Sequence, residues 1–301
     1  MFEELIEKFK EKDVGDLFEY EPMYKHTTYK VGGPVRLFVE VKSIEGLQYC
    51  MKLIKENEIP YYMIGRGSNV LFGDKEYDGI VLCLNKYFKN YSFHGEYVEC
   101  DAGVSIVLLA SQAANHSLTG LEFASGIPGS MGGIIFMNAG AYKSEIANVF
   151  EEATVMDQKG NILTLNKEDM HFSYRHSILQ EQEYLLLHVR LKLAKGEKTA
   201  IREVMNKRKA KRKETQPIDK PSAGSVFRNP ESMPAWKAID DCGLRGYTIG
   251  HAQVSPKHSN FIINTGYASS KDILDLITLI QKRVKETYDI DLHTEVRMMN
   301  W

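Results

Sequence analysis

The stretch Tyr61-Tyr62-Met63-Ile64-Gly65-Arg66-Gly67-Ser68-Asn69-Val70-Leu71-Phe72 decides the fold class. Its first four residues are an apolar run just after Pro60, which reads as a strand, and that strand empties into a glycine loop. Upstream, residues 2–12 read as an amphipathic helix with Phe2, Leu5, Ile6 and Phe9 on one face. Pro22 and the Gly32-Gly33-Pro34 turn then break the chain before an alternating strand, Val35 to Val41. A helix follows, with Leu47, Met51 and Ile54 at helical spacing, and stops by Pro60. Strand, helix, strand and glycine loop in that order open an α+β or α/β fold.

Glycines in such a loop let the backbone approach an anion while successive N–H groups supply donors. Val70 stands where a GxGxxG fingerprint needs its third glycine, and no Lys-Ser/Thr pair follows as in a P-loop. The loop is thus either an anion cradle of another kind or a tight turn. A second segment, Gly126-Ile127-Pro128-Gly129-Ser130-Met131-Gly132-Gly133 with Asn138-Ala139-Gly140-Ala141-Tyr142, lies between a helix around 105–116 and a hairpin near Asp157–Asn161. Glycine at that density loses backbone entropy and buries no side chain. Either something large lies against the backbone, or the segment is a set of bulges and turns. Two glycine loops without a Rossmann pattern point to a dinucleotide held by a different fold.

The 301 residues suggest about two domains, at roughly 150 residues each. With 43% hydrophobic and 26% charged residues the composition is that of a globular chain. A net charge of −2 is less basic than a dedicated nucleic-acid binder would carry. Cys50, Cys83, Cys100 and Cys242 form no CxxC pair and no metal-ligand spacing, so reduced, mostly buried thiols in a cytoplasmic protein are expected. The N-terminus mixes acids with lysines, and no run approaches the roughly 20 apolar residues of a membrane span, so neither a signal peptide nor membrane insertion is expected. Lys198 to Lys213 reads as a basic helix, and Gln216 to Pro230 as loop with one short strand. Ser269 or Ser270 caps a last long helix, and Ile290 to Met298 alternates as a final strand. The expected boundary lies near Ala194–Lys198, dividing the chain into 1–196 and 197–301.

The segments GRGSNVLF at Gly65–Phe72 and GIPGSMGGIIFMNAGAY at Gly126–Tyr142 resemble the UDP-N-acetylenolpyruvoylglucosamine reductase family. The resemblance continues through His26–Pro34, Ser173–Ser177, Ala223–Pro230, Ser255–Asn264 and Leu292–Val296, in family order over nearly the whole chain. It implies an α+β fold: a PCMH-type (vanillyl-alcohol-oxidase-like) FAD-binding domain of two subdomains, then a C-terminal α+β substrate domain. FAD would be the cofactor, with NADPH as co-substrate and the enolpyruvyl ether of a UDP-sugar reduced to UDP-N-acetylmuramate for the cell wall. Gly65, Arg66, Gly67, Ser68, Asn69 and Val70 would lie along FAD with Gly126, Ile127, Pro128, Gly129, Ser130, Gly132 and Gly133, joined by Asn138, Gly140 and Ala141. Only fifty positions separate Arg175 from Ser225, so the chain resembles the short (type II) branch, which lacks an inserted tyrosine loop over the nucleotide.

Hydride delivery to the vinyl group of such a substrate leaves negative charge on the neighbouring carbon and its carboxylate. An acid must protonate that carbon, and a cation must face the carboxylate. The resemblance assigns the proton to Ser225, carboxylate and enolate stabilisation to Arg175, and a catalytic role to Glu295. Read locally, the ordinary readings are a turn serine for Ser225, a surface or ion-pairing residue for Arg175 and a solvated strand face for Glu295. Tyr142, Asn229 and His258 are carried over as substrate-binding positions. His258 has no metal-like partner one helical turn away, so no metal site is expected. The basic run Lys207–Lys213 is a candidate for diphosphate contact or a solvated helix face. Two other readings compete: a flavin oxidase of the same fold, and a non-catalytic RNA binder using that run. The Ala223–Phe227 segment and Glu295-Val296 argue against the first, and the net charge against the second.

Overall fold

The computed structural model describes residues 2–301. Two compact units emerge, one comprising 2–19, Leu37–Arg66 and Asp78–Lys209, the other Tyr20–Arg36, Gly67–Tyr77 and Ala210–Trp301.

The first unit is built on two sheets. A four-stranded sheet has the order Gly15–Pro22, Pro34–Val41, Tyr77–Cys83, Tyr61–Ile64, and the last two pair in parallel. Helices Phe2–Lys12 and Ile44–Glu56 share a core with it, because Phe2, Leu5, Ile6 and Phe9 bury one face of the first helix and Leu47, Met51 and Ile54 one face of the second. Ser43 caps the second helix by accepting the Gly46 amide at 3.0 Å, a contact worth about 1 kcal/mol. The other sheet is antiparallel and five-stranded, ordered Ile162–Asn166, Phe150–Met156, Leu185–Lys192, Tyr97–Asp101, Tyr91–His94. Two sheets and helices around one hydrophobic core give the α+β pattern expected.

The second unit packs helices Ala235–Asp241 and Ser270–Tyr288 with a three-stranded antiparallel sheet. Ser269 and Asp272 form a reciprocal capping box at the long helix, satisfying two amides that the helix leaves open. Ile273, Leu276, Ile277, Ile280 and Val284 then bury one stripe.

The last segment corrects the sequence reading. Of the strand expected from Ile290 to Met298, only Arg297–Met299 is regular, and it pairs in parallel with Val70–Phe72. Leu292 and Val296 are buried and His293 exposed, but Thr294 and Glu295 are both half-buried and Arg297 and Met298 both exposed, so strict alternation of burial is lost with the ladder. The short strand expected between Gln216 and Pro230 is a single bridge, Phe227 to Thr294. The compact units also part inside helix Lys198–Thr215, not at 196/197, and the second draws in two N-terminal segments. Long-range bonds cause this: the pairing of residues 70–72 with 297–299, and Asn264 Nδ2 donating to the Tyr29 carbonyl at 3.0 Å. Local composition carries no trace of either.

Candidate active site

The glycine loop after Ile64 leaves the amides of Arg66, Gly67 and Ser68 without an acceptor among the described residues. Gly67 has φ +59, a backbone disfavoured for any residue with a Cβ. A Cβ there would stand 2.0 Å from the His26 carbonyl oxygen. Thr28 closes the turn, donating its amide to the Gly67 carbonyl at 3.1 Å. The second glycine segment is laced to residues 102–106: Gly132 donates to Ala102, Met131 to Val104, and Ile106 to Gly129. Ser130 is buried, and its Oγ lies where a Cβ on Gly65 would come within 2.5 Å, so the two glycine loops touch in the first unit.

The glycines divide by cause. Gly129 is buried against Ile134, and Gly132 faces Ala102 at ordinary contact distance, so protein packing accounts for both. Gly133 is exposed in the short helix Met131–Phe136, and a Cβ on it would meet nothing within 4 Å. The expectation that something large lies against the backbone thus narrows to the open edge at Gly133 and the loop amides. Gly126 and Ile127 are half-buried and Pro128 is exposed.

Arg175 sits in a tight turn bridged by Ser173 and His176, with φ +57. That conformation costs a non-glycine residue about 1–2 kcal/mol, and the surroundings hold it. Gln180 Nε2 donates to the Arg175 carbonyl at 2.9 Å, and the fully buried Asn138 donates to the Ser173 carbonyl at 2.9 Å. Arg175 in turn donates to the Gly140 carbonyl at 3.0 Å and lies over the Tyr174 ring. Asn138 also accepts the Ala147 amide, so its amide group braces this turn and the hairpin of Gly140–Ala141 with Ser144–Glu145. Tyr142, on the hairpin, is 46% exposed; its hydroxyl donates to the Arg208 carbonyl and the Arg208 guanidinium covers its ring. The rest of the basic helix face is solvated, with Lys207 paired to Glu203 and Lys211 to Glu214.

In the second unit the chain brings Ser225 and Glu295 together across seventy positions. Glu295 donates its amide to the carbonyl of Val226, next to Ser225, at 2.7 Å. Gly224 has φ +79, which lets the chain swing Ser225 clear of any regular strand. The Ser225 hydroxyl is half-buried and holds no hydrogen bond among the described residues. The serine is therefore not spent on closing its own turn. Asn69 ties the other side, Nδ2 donating to the Glu295 carbonyl at 3.0 Å and its own carbonyl accepting the Arg297 amide at 2.9 Å.

Asn260, absent from the expected site, is the hub that sequence reading missed. Its carbonyl accepts the Val226 amide, its Oδ1 the Phe227 amide, and its Nδ2 donates to the Phe227 carbonyl. Its place in Ser255–Asn264 was the only signal. His258 Nδ1 accepts the Asn260 amide at 3.3 Å, and burial, then the charge of Arg245, holds the imidazole below its ordinary pKa. A neutral ring that accepts at Nδ1 thus supports the Ser225 segment from behind. Asn229 is exposed, and its Oδ1 accepts the Ala235 amide at 3.1 Å at the head of helix Ala235–Asp241. Among the described residues no cluster of His, Cys, Asp and Glu could hold a metal, and no helix is long and apolar enough to cross a membrane.

Comparison with known proteins places this geometry. An FAD binding domain profile matches residues 35–166, and the C-terminal domain profile of UDP-N-acetylenolpyruvoylglucosamine reductase matches 216–299. The Bacillus licheniformis reductase of that name is 44% identical over 99% of this chain and 98% of its own length. The chain belongs to the UDP-N-acetylenolpyruvoylglucosamine reductase family. A Clostridium novyi relative of the same name is 47% identical over 92% of this chain and 90% of its own. The crystal structure of the Thermus caldophilus reductase superposes with a TM-score of 0.81 at 33% identity, covering 95% of this chain and 98% of that one. A berberine bridge enzyme from Eschscholzia californica, 15% identical with a TM-score of 0.51 over 64% of this chain and 44% of its own, shares the fold alone. This reductase-family chain is therefore a flavin oxidoreductase on a PCMH-type α+β fold. Its residues fit FAD on two counts: loop amides without acceptors suit a pyrophosphate, and the open backbone edge at Gly133 suits a flat ring system.

Proposed function

We propose that this chain reduces the enolpyruvyl ether of its UDP-sugar substrate to UDP-N-acetylmuramate, with Ser225 as proton donor and Arg175 and Glu295 as its catalytic partners. FAD, when bound along the two glycine loops, would supply the hydride chemistry between NADPH and the double bond. The residues of the chain do the rest. Arg175, held by its turn, offers a planar two-point donor to the substrate carboxylate and stabilises the enolate as charge builds. Ser225 delivers the proton to the carbanionic carbon, and Glu295 orients or relays to that hydroxyl. The observation that carries the reading is the bond from the Glu295 amide to the Val226 carbonyl, which sets the two side chains on adjacent backbone with the serine hydroxyl unspent.

In this reading residues 1–196 bind FAD along the two glycine loops, and residues 197–301 take the substrate with Asn229 and His258, joined by Tyr142. That division is functional and does not coincide with the compact units. A cytoplasmic location belongs to the same reading, supported by four cysteines that are all free.

Half-reactions test it. Ser225→Ala should leave bleaching of the flavin by NADPH intact and slow reoxidation by the enolpyruvyl substrate by about 10²–10⁴-fold, the usual reach of general acid catalysis. Equal loss in both half-reactions would overturn the assignment, since a proton donor has no part in the first.

A further inference from the structure

Arg228 follows Ser225 by three residues on unusually well-anchored backbone. Its amide donates to the His293 carbonyl at 2.9 Å, and the preceding Phe227 is held at both its amide and its carbonyl by the Asn260 side chain. The side chain leaves this anchor with its Nε buried and without a hydrogen-bond partner. No carboxylate pairs with the guanidinium among the described residues. Arginine cannot escape that situation by losing its proton, so a buried N–H without an acceptor is a standing cost.

We propose that Arg228 receives an oxyanion of a bound ligand, a phosphate or a carboxylate, next to the Ser225 segment. The inference rests on the functional reading above, whose ligands carry such groups in two places. One is the pyrophosphate of FAD; the other is the diphosphate or carboxylate of the nucleotide substrate. The planar fork of an arginine suits either.

The test uses the full chain as Arg228→Gln and Arg228→Lys, with affinity measured in two arms. FAD affinity is read from quenching of flavin fluorescence as apoprotein is reconstituted. Affinity for UDP-N-acetylmuramate is read on the oxidised holoenzyme from perturbation of the flavin absorption band. A hydrogen bond to a charged group is worth about 10- to 150-fold in affinity. Arg228→Gln should therefore weaken one arm by about tenfold or more and leave the other nearly unchanged, and Arg228→Lys should recover part of the loss. Loss confined to FAD assigns the pyrophosphate; loss confined to the product assigns the substrate side. Unchanged affinity in both arms overturns the proposal, as does equal loss in both, the mark of a structural role. Wild-type protein separates the two levels: if it takes up neither FAD nor product, the functional reading fails and this proposal with it.

Discussion

Gly133→Ala should move protein stability and cofactor affinity in opposite directions. The residue lies in helix Met131–Phe136, is exposed, and has nothing within 4 Å of where a Cβ would stand. Alanine there removes the entropy penalty of a helical glycine, a gain of about 0.5–1 kcal/mol. For a unit of this size that raises the unfolding midpoint of the apoprotein by about 1–4 °C. If FAD lies against this edge, the same methyl occupies ligand space. Overpacking of a well-fitted contact costs about 1–3 kcal/mol, which is roughly 5- to 150-fold in FAD affinity. Calorimetry of apoprotein and fluorescence titration with FAD measure the two effects separately. A stabilised apoprotein that binds FAD as tightly as wild type would refute the placement of the flavin. A destabilised apoprotein would refute the open edge itself.

Three further outcomes follow from the same structure. Gly67→Ala should destabilise the protein, since φ +59 alone costs about 1–2 kcal/mol and the methyl would meet the His26 carbonyl oxygen; a urea midpoint equal to wild type would count against the turn described. Arg175→Lys should lower kcat strongly while FAD content and thermal midpoint stay unchanged, because one ammonium cannot reproduce a two-point contact; near-normal turnover would remove arginine from the chemistry. His258 bears on pH. Its folded pKa lies below its unfolded value of about 6.5, so its contribution to stability is full above that value and is lost as pH falls through the folded one. His258→Gln should accordingly flatten the decline of stability on the acid side, and identical slopes for variant and wild type between pH 7 and 5 would exclude the effect.

Much of the candidate site was legible because its residues stand in contiguous segments. The loop at Gly65–Val70, the dense glycines to Gly133 and the turn around Arg175 each announce an unusual local backbone, and each adopts one. The Ser225 segment announced less: nothing near it in sequence shows that Asn260 holds it from one side and the Glu295 amide meets it from the other. Asn138 and Asn69 were expected beside the cofactor. In the structure their side-chain amides brace the Arg175 turn and the Glu295 backbone, a role visible only from their partners.

By itself the sequence determined the longer helices, the strands at Pro34–Val41 and Tyr61–Ile64 and the places where the chain must turn, because periodicity, caps and glycine act within a few residues. It also carried the family, in segments spread along the whole length. Only the tertiary structure decided that residues 20–36 and 67–77 join the C-terminal part, that the final segment is mostly irregular, and that Arg228 keeps a buried Nε unpaired. Each of these depends on a hydrogen bond made, or left unmade, by residues far apart in the chain. Such a bond has no local period to reveal it, and its energy exists only once the two backbones have met.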